Sequence, residues 1–225
     1  IGWDDDYPAC NFSADPGRDG AWIMQNSWGK AWGDDGFFYL SYADPTIGTP
    51  SLYLGGPTSE FAHIYQYDPL GWVESYGFES ETASFANIFT AVGPGASEST
   101  AGGTTEFLRA VSFYAAQANA YYRIEVRRGV EEGAPGSGAF INATVGSLAA
   151  AGYHTIELSS LVPLSPGERF SVIVRLTTPG YLFPVPLEQP VQGYSDKSTA
   201  LAGQSFVSPD GSAWTDMTEL AKDTN

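Results

Sequence analysis

The chain has 225 residues, with 10 Lys plus Arg against 26 Asp plus Glu and a formal net charge of −16. A surface this acidic repels phosphate backbones and anionic headgroups, which excludes nucleic acid and anionic membranes as partners. With 43% hydrophobic and 14% aromatic residues but only 16% charged ones, the sequence can build a core, and its 26 Gly and 15 Pro favour short strands joined by turns.

This length accommodates one large all-β domain or two small units. The single cysteine, Cys10, excludes an intrachain disulfide and a multi-thiolate zinc site, and the residues point to no cofactor and no metal. No apolar run approaches the ~18 residues of a membrane helix, so no membrane span is expected.

Taken in order, residues 1–3 read as a strand and residues 4–20 as a loop, punctuated by Asp4-Asp5-Asp6, Pro8, Pro16-Gly17 and Asp19-Gly20. The aspartates would suit calcium or plain solvent. The spaced D-x-[DN]-x-[DN]-G pattern of a calcium loop is missing, which favours solvent. A strand follows over Ala21–Gln25, then Asn26-Ser27-Trp28, then Gly29 and Gly33 around Trp32. Asp34-Asp35-Gly36 marks a turn and residues 37–42 a Phe/Tyr-rich strand. Residues 45–61 hold Pro45, Pro50, Pro57 and several glycines, and read as a linker between a first segment, 1–44, and a second module, 62–217. Residues 218–225 read as a tail.

Within the second module, residues 62–67 alternate as a strand, with His63 structural. Residues 83–91 place Phe85, Asn87 and Phe89 on one face. Residues 93–103 are a small-residue loop. Residues 107–114 form a strand. Tyr122, Ile124 and Val126 alternate with Arg123, Glu125 and Arg127, as a half-buried strand should. Further strands are read at 140–145, around His154, Ile156 and Leu158, and through Phe170, Val172, Val174 and Leu176. Residues 204–207 and 212–215 flank the turn Ser208-Pro209-Asp210-Gly211. Eight or so short strands with frequent turns predict an all-β chain built on a β-sandwich. Asn11 and Asn142 stand in glycosylation triplets, a pattern common by chance.

Two stretches carry a resemblance. Asn26-Ser27-Trp28-Gly29, Trp32-Gly33 and Gly36-Phe37-Phe38 resemble the asparagine segment of papain-family cysteine peptidases. Ile1-Gly2-Trp3-Asp4-Asp5 resembles the strand after that family's catalytic histidine. Such peptidases use a thiolate nucleophile, an imidazole that shuttles the proton and a third group that orients it. The resemblance gives Asn26 the third role, its side-chain oxygen accepting from the imidazole N–H. It places Trp28 over that bond, where excluding water strengthens it. The alternative is that Asn26 caps a turn and the indoles are core. The nucleophile signature C-G-[SA]-C-[WY] has no match, Cys10 lies only 16 positions before Asn26, and His63 and His154 follow it. The resemblance therefore implies the C-terminal part of a peptidase domain, inactive alone, whose partners are the upstream half of that domain and, in the intact enzyme, a peptide substrate. Strand edges left open would favour self-association.

The second region resembles the lectin-like sandwich that follows the peptidase domain in some prokaryotic surface or secreted papain-like enzymes. The carrying residues include Ile64-Tyr65-Gln66-Tyr67-Asp68, Gly71-Trp72, Ala110-Val111-Ser112-Phe113-Tyr114 and Gly203-Gln204-Ser205-Phe206. A secreted or cell-surface protein is implied, with a lectin-like, jelly-roll shape; sugar binding does not follow from shape. Trp72, Tyr181 and Trp214 lie at or near predicted loops and are the candidates to stack on a carbohydrate or cell-surface ligand. They equally suit the ends of a sandwich core, in which case the module is a structural appendage.

Overall fold

The computed structural model describes residues 1–47, 54–57, 59–94, 105–221 and 224–225. Parts of the expected linker (48–53 and 58), most of the expected small-residue loop (95–104) and residues 222–223 lie outside the described residues. The chain divides into two units, Ile1–Pro57 and 58–225.

The first unit is a three-stranded antiparallel sheet of β1 (Gly2–Asp4), β2 (Ala21–Gln25) and β3 (Phe37–Ser41), in that order. Its register sets Trp3 opposite Trp22, Trp22 opposite Leu40, and Met24 opposite Phe38. Strand side chains alternate between faces, so these large groups share one face. Trp3 is 67% exposed there. On the other face Tyr7 stacks on Tyr39 at 4.2 Å. The loop between β1 and β2 is tied back by the Tyr42 hydroxyl donating to Asp5 Oδ1 and by Arg18 Nη2 donating to the Tyr42 carbonyl. Gly20 is required: at φ +104° any Cβ would lie 2.5 Å from the Tyr42 ring.

The second unit is built on a six-stranded antiparallel sheet. Its strands are β5 (Thr82–Thr90), β7 (Ala120–Arg128), β8 (Ala139–Leu148), β10 (Arg169–Thr177), β12 (Ser205–Ser208) and β13 (Thr215–Asp216), ordered β13-β12-β5-β10-β7-β8. Facing it is a layer split into two pairs. One is β6 (Glu106–Ala115) with β9 (Gly152–Leu164), the other β4 (Glu74–Tyr76) with β11 (Val185–Leu187). Val111, Phe113 and Ala115 of β6 pack on Ile124, Val174 and Leu176. Val162 and Leu164 of β9 pack on Phe89, Val126 and Phe170. Val185 and Leu187 of β11 pack on Ala83, Val207 and Met217. Each fully buried Val, Leu, Ile, Phe or Met among these contributes about 1.5–3 kcal/mol, and this two-layer core is what makes the unit a sandwich.

Three sequence expectations change, and one chance motif is set aside. Residues 62–67 form no strand. Their alternation is real, since Tyr65 and Tyr67 pack against the core while Ile64 stays exposed. The Tyr67 carbonyl, however, is satisfied by Asn225 Nδ2 rather than by a strand partner. Alternation reports which way side chains face and leaves pairing open. The strand expected over 212–215 begins only at Thr215, because Ser208 Oγ and Asp210 Oδ1 accept loop amides and open the turn. The expected tail carries a one-turn helix, α1 (Met217–Leu220), capped by Asp216, and its end exchanges two backbone hydrogen bonds with Glu188. Asn142 is 4% exposed and donates to Ser160, so the folded unit offers no glycosylation acceptor there.

Candidate functional site

The hairpin of β2 and β3 ends at the pair Gln25 and Phe37. Beyond it the loop 26–36 is held by its own backbone. Asn26 N donates to the Gly36 carbonyl, Gly36 N to the Trp32 carbonyl, and Asp34 and Phe37 exchange two bonds of 2.8 and 2.9 Å. Gly33 stands at φ +68° with its missing Cβ pointing at the Phe37 carbonyl oxygen, 2.3 Å away, so the turn admits glycine alone.

This frame fixes the Asn26 amide. Its Oδ1 accepts from Trp28 N at 2.7 Å and its Nδ2 donates to the Trp32 carbonyl at 3.3 Å. A backbone N–H can only donate and a carbonyl can only accept, so the two bonds together decide which amide atom is oxygen. Oδ1 keeps a second lone pair. A neutral amide at this position can accept from an imidazole N–H without adding charge. Trp28 is 73% exposed and meets Trp32 edge-on at 5.0 Å; Trp32 in turn meets Phe38 at 5.3 Å. The indole beside the amide is thus braced by an aromatic file and still open on its outer side.

The other candidates from the sequence lie elsewhere. Cys10 is exposed on a short 3₁₀ turn, with Asn11 as its side-chain neighbour. His63 and His154 belong to the second unit; His154 Nε2 lies 2.9 Å from the Ala150 carbonyl, and the ring of His63 lies near Tyr65. Asp4 and Asp5 are engaged in the chain, accepting from Asp6 N and the Tyr42 hydroxyl. Among the described residues no group of three or more His, Cys, Asp or Glu side chains could hold a metal ion.

Trp72, Tyr181 and Trp214 are not brought together. Trp214 packs with Ile88, Ile173 and Phe206 on the outer face of the six-stranded sheet. Tyr181 leans on Phe183 at 5.7 Å. Trp72 lies 6.1 Å from Tyr114, on the side of β6 away from Val111 and Phe113, its Nε1 donating to Ser75 Oγ at 3.0 Å. It lines a cavity of about 520 Å³ in the second unit whose walls also include Asp68, Asn87 and Ser205. Asp68 is open to solvent yet crowded by protein; burial, and secondarily the charge of Glu188, push its carboxyl above the usual range. The sequence placed Asn87 beside Phe85 and Phe89 without a role. Its signal was one amide on an otherwise apolar inward face.

Comparison with known proteins separates the two units. Residues 1–50 match the papain family of cysteine proteases, and residues 64–225 match the family described as lectin like domain. No curated protein matches. Two solved structures share the fold. The clostridial cysteine protease Cwp84 after propeptide cleavage is 23% identical with a TM-score of 0.67, over 97% of this chain and 52% of that one. The cysteine protease and lectin-like domains of Cwp84, a surface layer associated protein of Clostridium difficile, are 23% identical with a TM-score of 0.65, over 96% and 46%. The chain spans about half the length of each. Its nearly all-β architecture is that of a β-sandwich lectin-like unit preceded by papain-like strands. On the match covering most of its length, the chain belongs to the lectin-like domain family.

Proposed function

We propose that the first unit serves a papain-like cysteine peptidase, with Asn26 holding the catalytic imidazole and Trp28 shielding their hydrogen bond. A cysteine thiolate attacks the peptide carbonyl, and histidine acts first as base and then as acid. The asparagine keeps the ring in the tautomer and orientation that both transfers need. The observation that carries this reading is the doubly pinned Asn26 amide, whose Oδ1 keeps an unused lone pair. The nucleophile and histidine come from the rest of the peptidase domain, the partner of this unit. The aromatic face around Trp3, Trp22 and Met24 is the seat for that partner. A surface location follows by analogy with Cwp84, described as surface layer associated, and the lectin-like unit then positions the peptidase at the cell surface.

The test is Asn26→Ala in the intact peptidase. A misplaced ring costs on the order of 10²-fold, so kcat falls by about that factor while the protein stays folded and KM moves little. Unchanged kcat would remove Asn26 from the mechanism.

A further inference from the structure

The outer face of the six-stranded sheet is sealed on one side and open on the other. Toward β5 and β12 it carries Ala86, Ile88, Ile173 and Phe206, with Val130 and Trp214 packed on them. Toward β7 and β8 the register lays Val145, Arg123 and Arg175 in one row, with Ser84 of β5 next in line. Tyr121, Glu125 and Arg127 of β7 point the same way as Arg123, since alternate side chains share a face. Tyr121 is 60% exposed and Val145 66%; Phe140, opposite Arg127 and lying under its guanidinium, is 50% exposed.

Cations are concentrated here. The chain has 10 Lys plus Arg against 26 Asp plus Glu, yet Arg123, Arg127, Arg169 and Arg175 all project from β7 and β10 on this face. Arg123 and Arg175 stand directly opposite each other. Like charges in that position destabilise a sheet, so strand pairing does not account for them. Glu125 is the only Asp or Glu in β7, β8 or β10. It accepts from Arg123 Nε at 2.8 Å and lies 3.7 Å from Arg127 Nη2. Arg169 is taken by Glu132 and the Val130 carbonyl. Arg175 has no ion pair among the described residues; its Nη1 donates to the Asp210 carbonyl at 2.9 Å. A guanidinium carries five N–H donors, so Arg123 and Arg175 keep most of theirs, and both side chains are exposed.

We propose that this open half of the sheet docks an acidic segment of a partner protein, its carboxylates on Arg123 and Arg175 and its apolar side chains on Tyr121, Phe140 and Val145. The arginine fork matches a carboxylate in two parallel bonds. Arginine among exposed aromatic side chains is also the make-up of protein interfaces. A phosphate polymer would bring a charge at every unit against the net −16, whereas a short acidic segment brings few. The proposal stands on the second unit alone and is independent of the peptidase reading.

The test titrates the full chain with a fluorescein-labelled ten-residue peptide that alternates glutamate and tyrosine, read by anisotropy at low and high salt. The same peptide with lysine for glutamate and a ten-nucleotide oligothymidylate serve as competing classes. The glutamate peptide is expected to bind at low salt and to be released at high salt, because exposed charges are screened. Arg123→Gln with Arg175→Gln should weaken it at least about tenfold, since two charge-assisted contacts are lost. Arg109→Gln with Lys197→Gln removes the same charge from exposed positions outside this face and should leave binding as in the parent. In the parent, the Nε NMR signals of Arg123 and Arg175 should shift on binding while that of Arg109 stays, a readout that needs no variant. The proposal is overturned if the glutamate peptide does not bind, if the lysine peptide or the oligothymidylate binds as tightly, if the shifts fall away from Arg123 and Arg175, if the Arg123 and Arg175 double variant binds like the parent, or if that variant instead disperses a dimer of the chain.

Discussion

The geometry of the Asn26 loop makes a quantitative demand on Gly33. Replacing it with alanine forces an L residue to φ +68°, which costs about 1–2 kcal/mol. The new Cβ would also meet the Phe37 carbonyl oxygen at 2.3 Å. That oxygen is backbone and cannot swing aside, so the two bonds between Asp34 and Phe37 must open. Each is worth about 0.5–1.5 kcal/mol, adding about 1–3 kcal/mol. Gly29 is the matched control: it stands at φ +88° but has nothing within 4 Å of its missing Cβ. Gly29→Ala therefore carries the conformational cost alone. Amide hydrogen exchange at Asp34 and Phe37 reads the difference. At about 1.4 kcal/mol per decade, Gly33→Ala should speed exchange roughly 5- to 140-fold beyond Gly29→Ala, and the Trp32 carbonyl should lose its hold on Asn26 Nδ2. Equal exchange in the two variants would refute the argument that the Phe37 contact, rather than φ, sets the loop.

Three further outcomes follow from the same reasoning. An epoxide-type cysteine-peptidase probe should leave Cys10 of this chain unlabelled, because its side-chain neighbour is the neutral Asn11 amide, which cannot take the thiol proton; stoichiometric labelling abolished by Asn26→Ala would overturn the proposed division of roles. The Glu168 carboxyl is held below its ordinary 4.5 first by its bonds from Arg128, at 2.6 and 2.9 Å. A depressed carboxylate contributes stability that is present above the unfolded value and lost as pH falls through the folded one. Arg128→Gln should therefore lower stability at neutral pH and flatten its decline below about pH 4.5, as read by urea midpoints across pH; an unchanged acid limb would count against the pair. The exposed Trp3 and Trp22 face should promote self-association of the isolated chain, and Trp22→Lys should reduce it in light scattering, whereas identical scattering would leave that face without a role in association.

Much of the fold could be read from period-2 alternation, and the exceptions are instructive. In β7 one face is apolar and the other carries Arg123, Glu125 and Arg127, as the pattern reads; in β10 the outward Ser171 and Ile173 are buried as well, Ile173 in the cluster that Trp214 joins. β11 escaped because Pro186 breaks its pattern; the strand is tolerated since it pairs on one side only, with β4. Residues 62–67 misled for the opposite reason. Their tyrosines face the core as a strand's would, the hydroxyls donating to Glu106 and the Ile88 carbonyl, but the Tyr67 carbonyl is taken by the Asn225 side chain instead of a strand partner. Which backbone group pairs with which is settled by partners over a hundred residues away, beyond the reach of a local pattern.

The two sites differ in legibility for a physical reason. The Asn26 loop encodes its own frame within eleven consecutive residues: the glycine that its turn requires, the carbonyl that pins the amide and the indoles that flank it are all local. The cavity draws on residues from 61 to 225, and its polar row joins Asn87, Ser205 and Asn225, which are adjacent only after β5 and β12 have paired. Trp72 and Trp214 looked equivalent in sequence, each an indole near a turn, and only the sheet between them decides that they serve opposite faces. Trp214 closes an apolar outer cluster, while Trp72 stands against Tyr114 with its Nε1 on Ser75. Aromaticity near a predicted loop therefore says little about what a side chain meets; the strands that pair around it decide that, and they are brought together only by the fold.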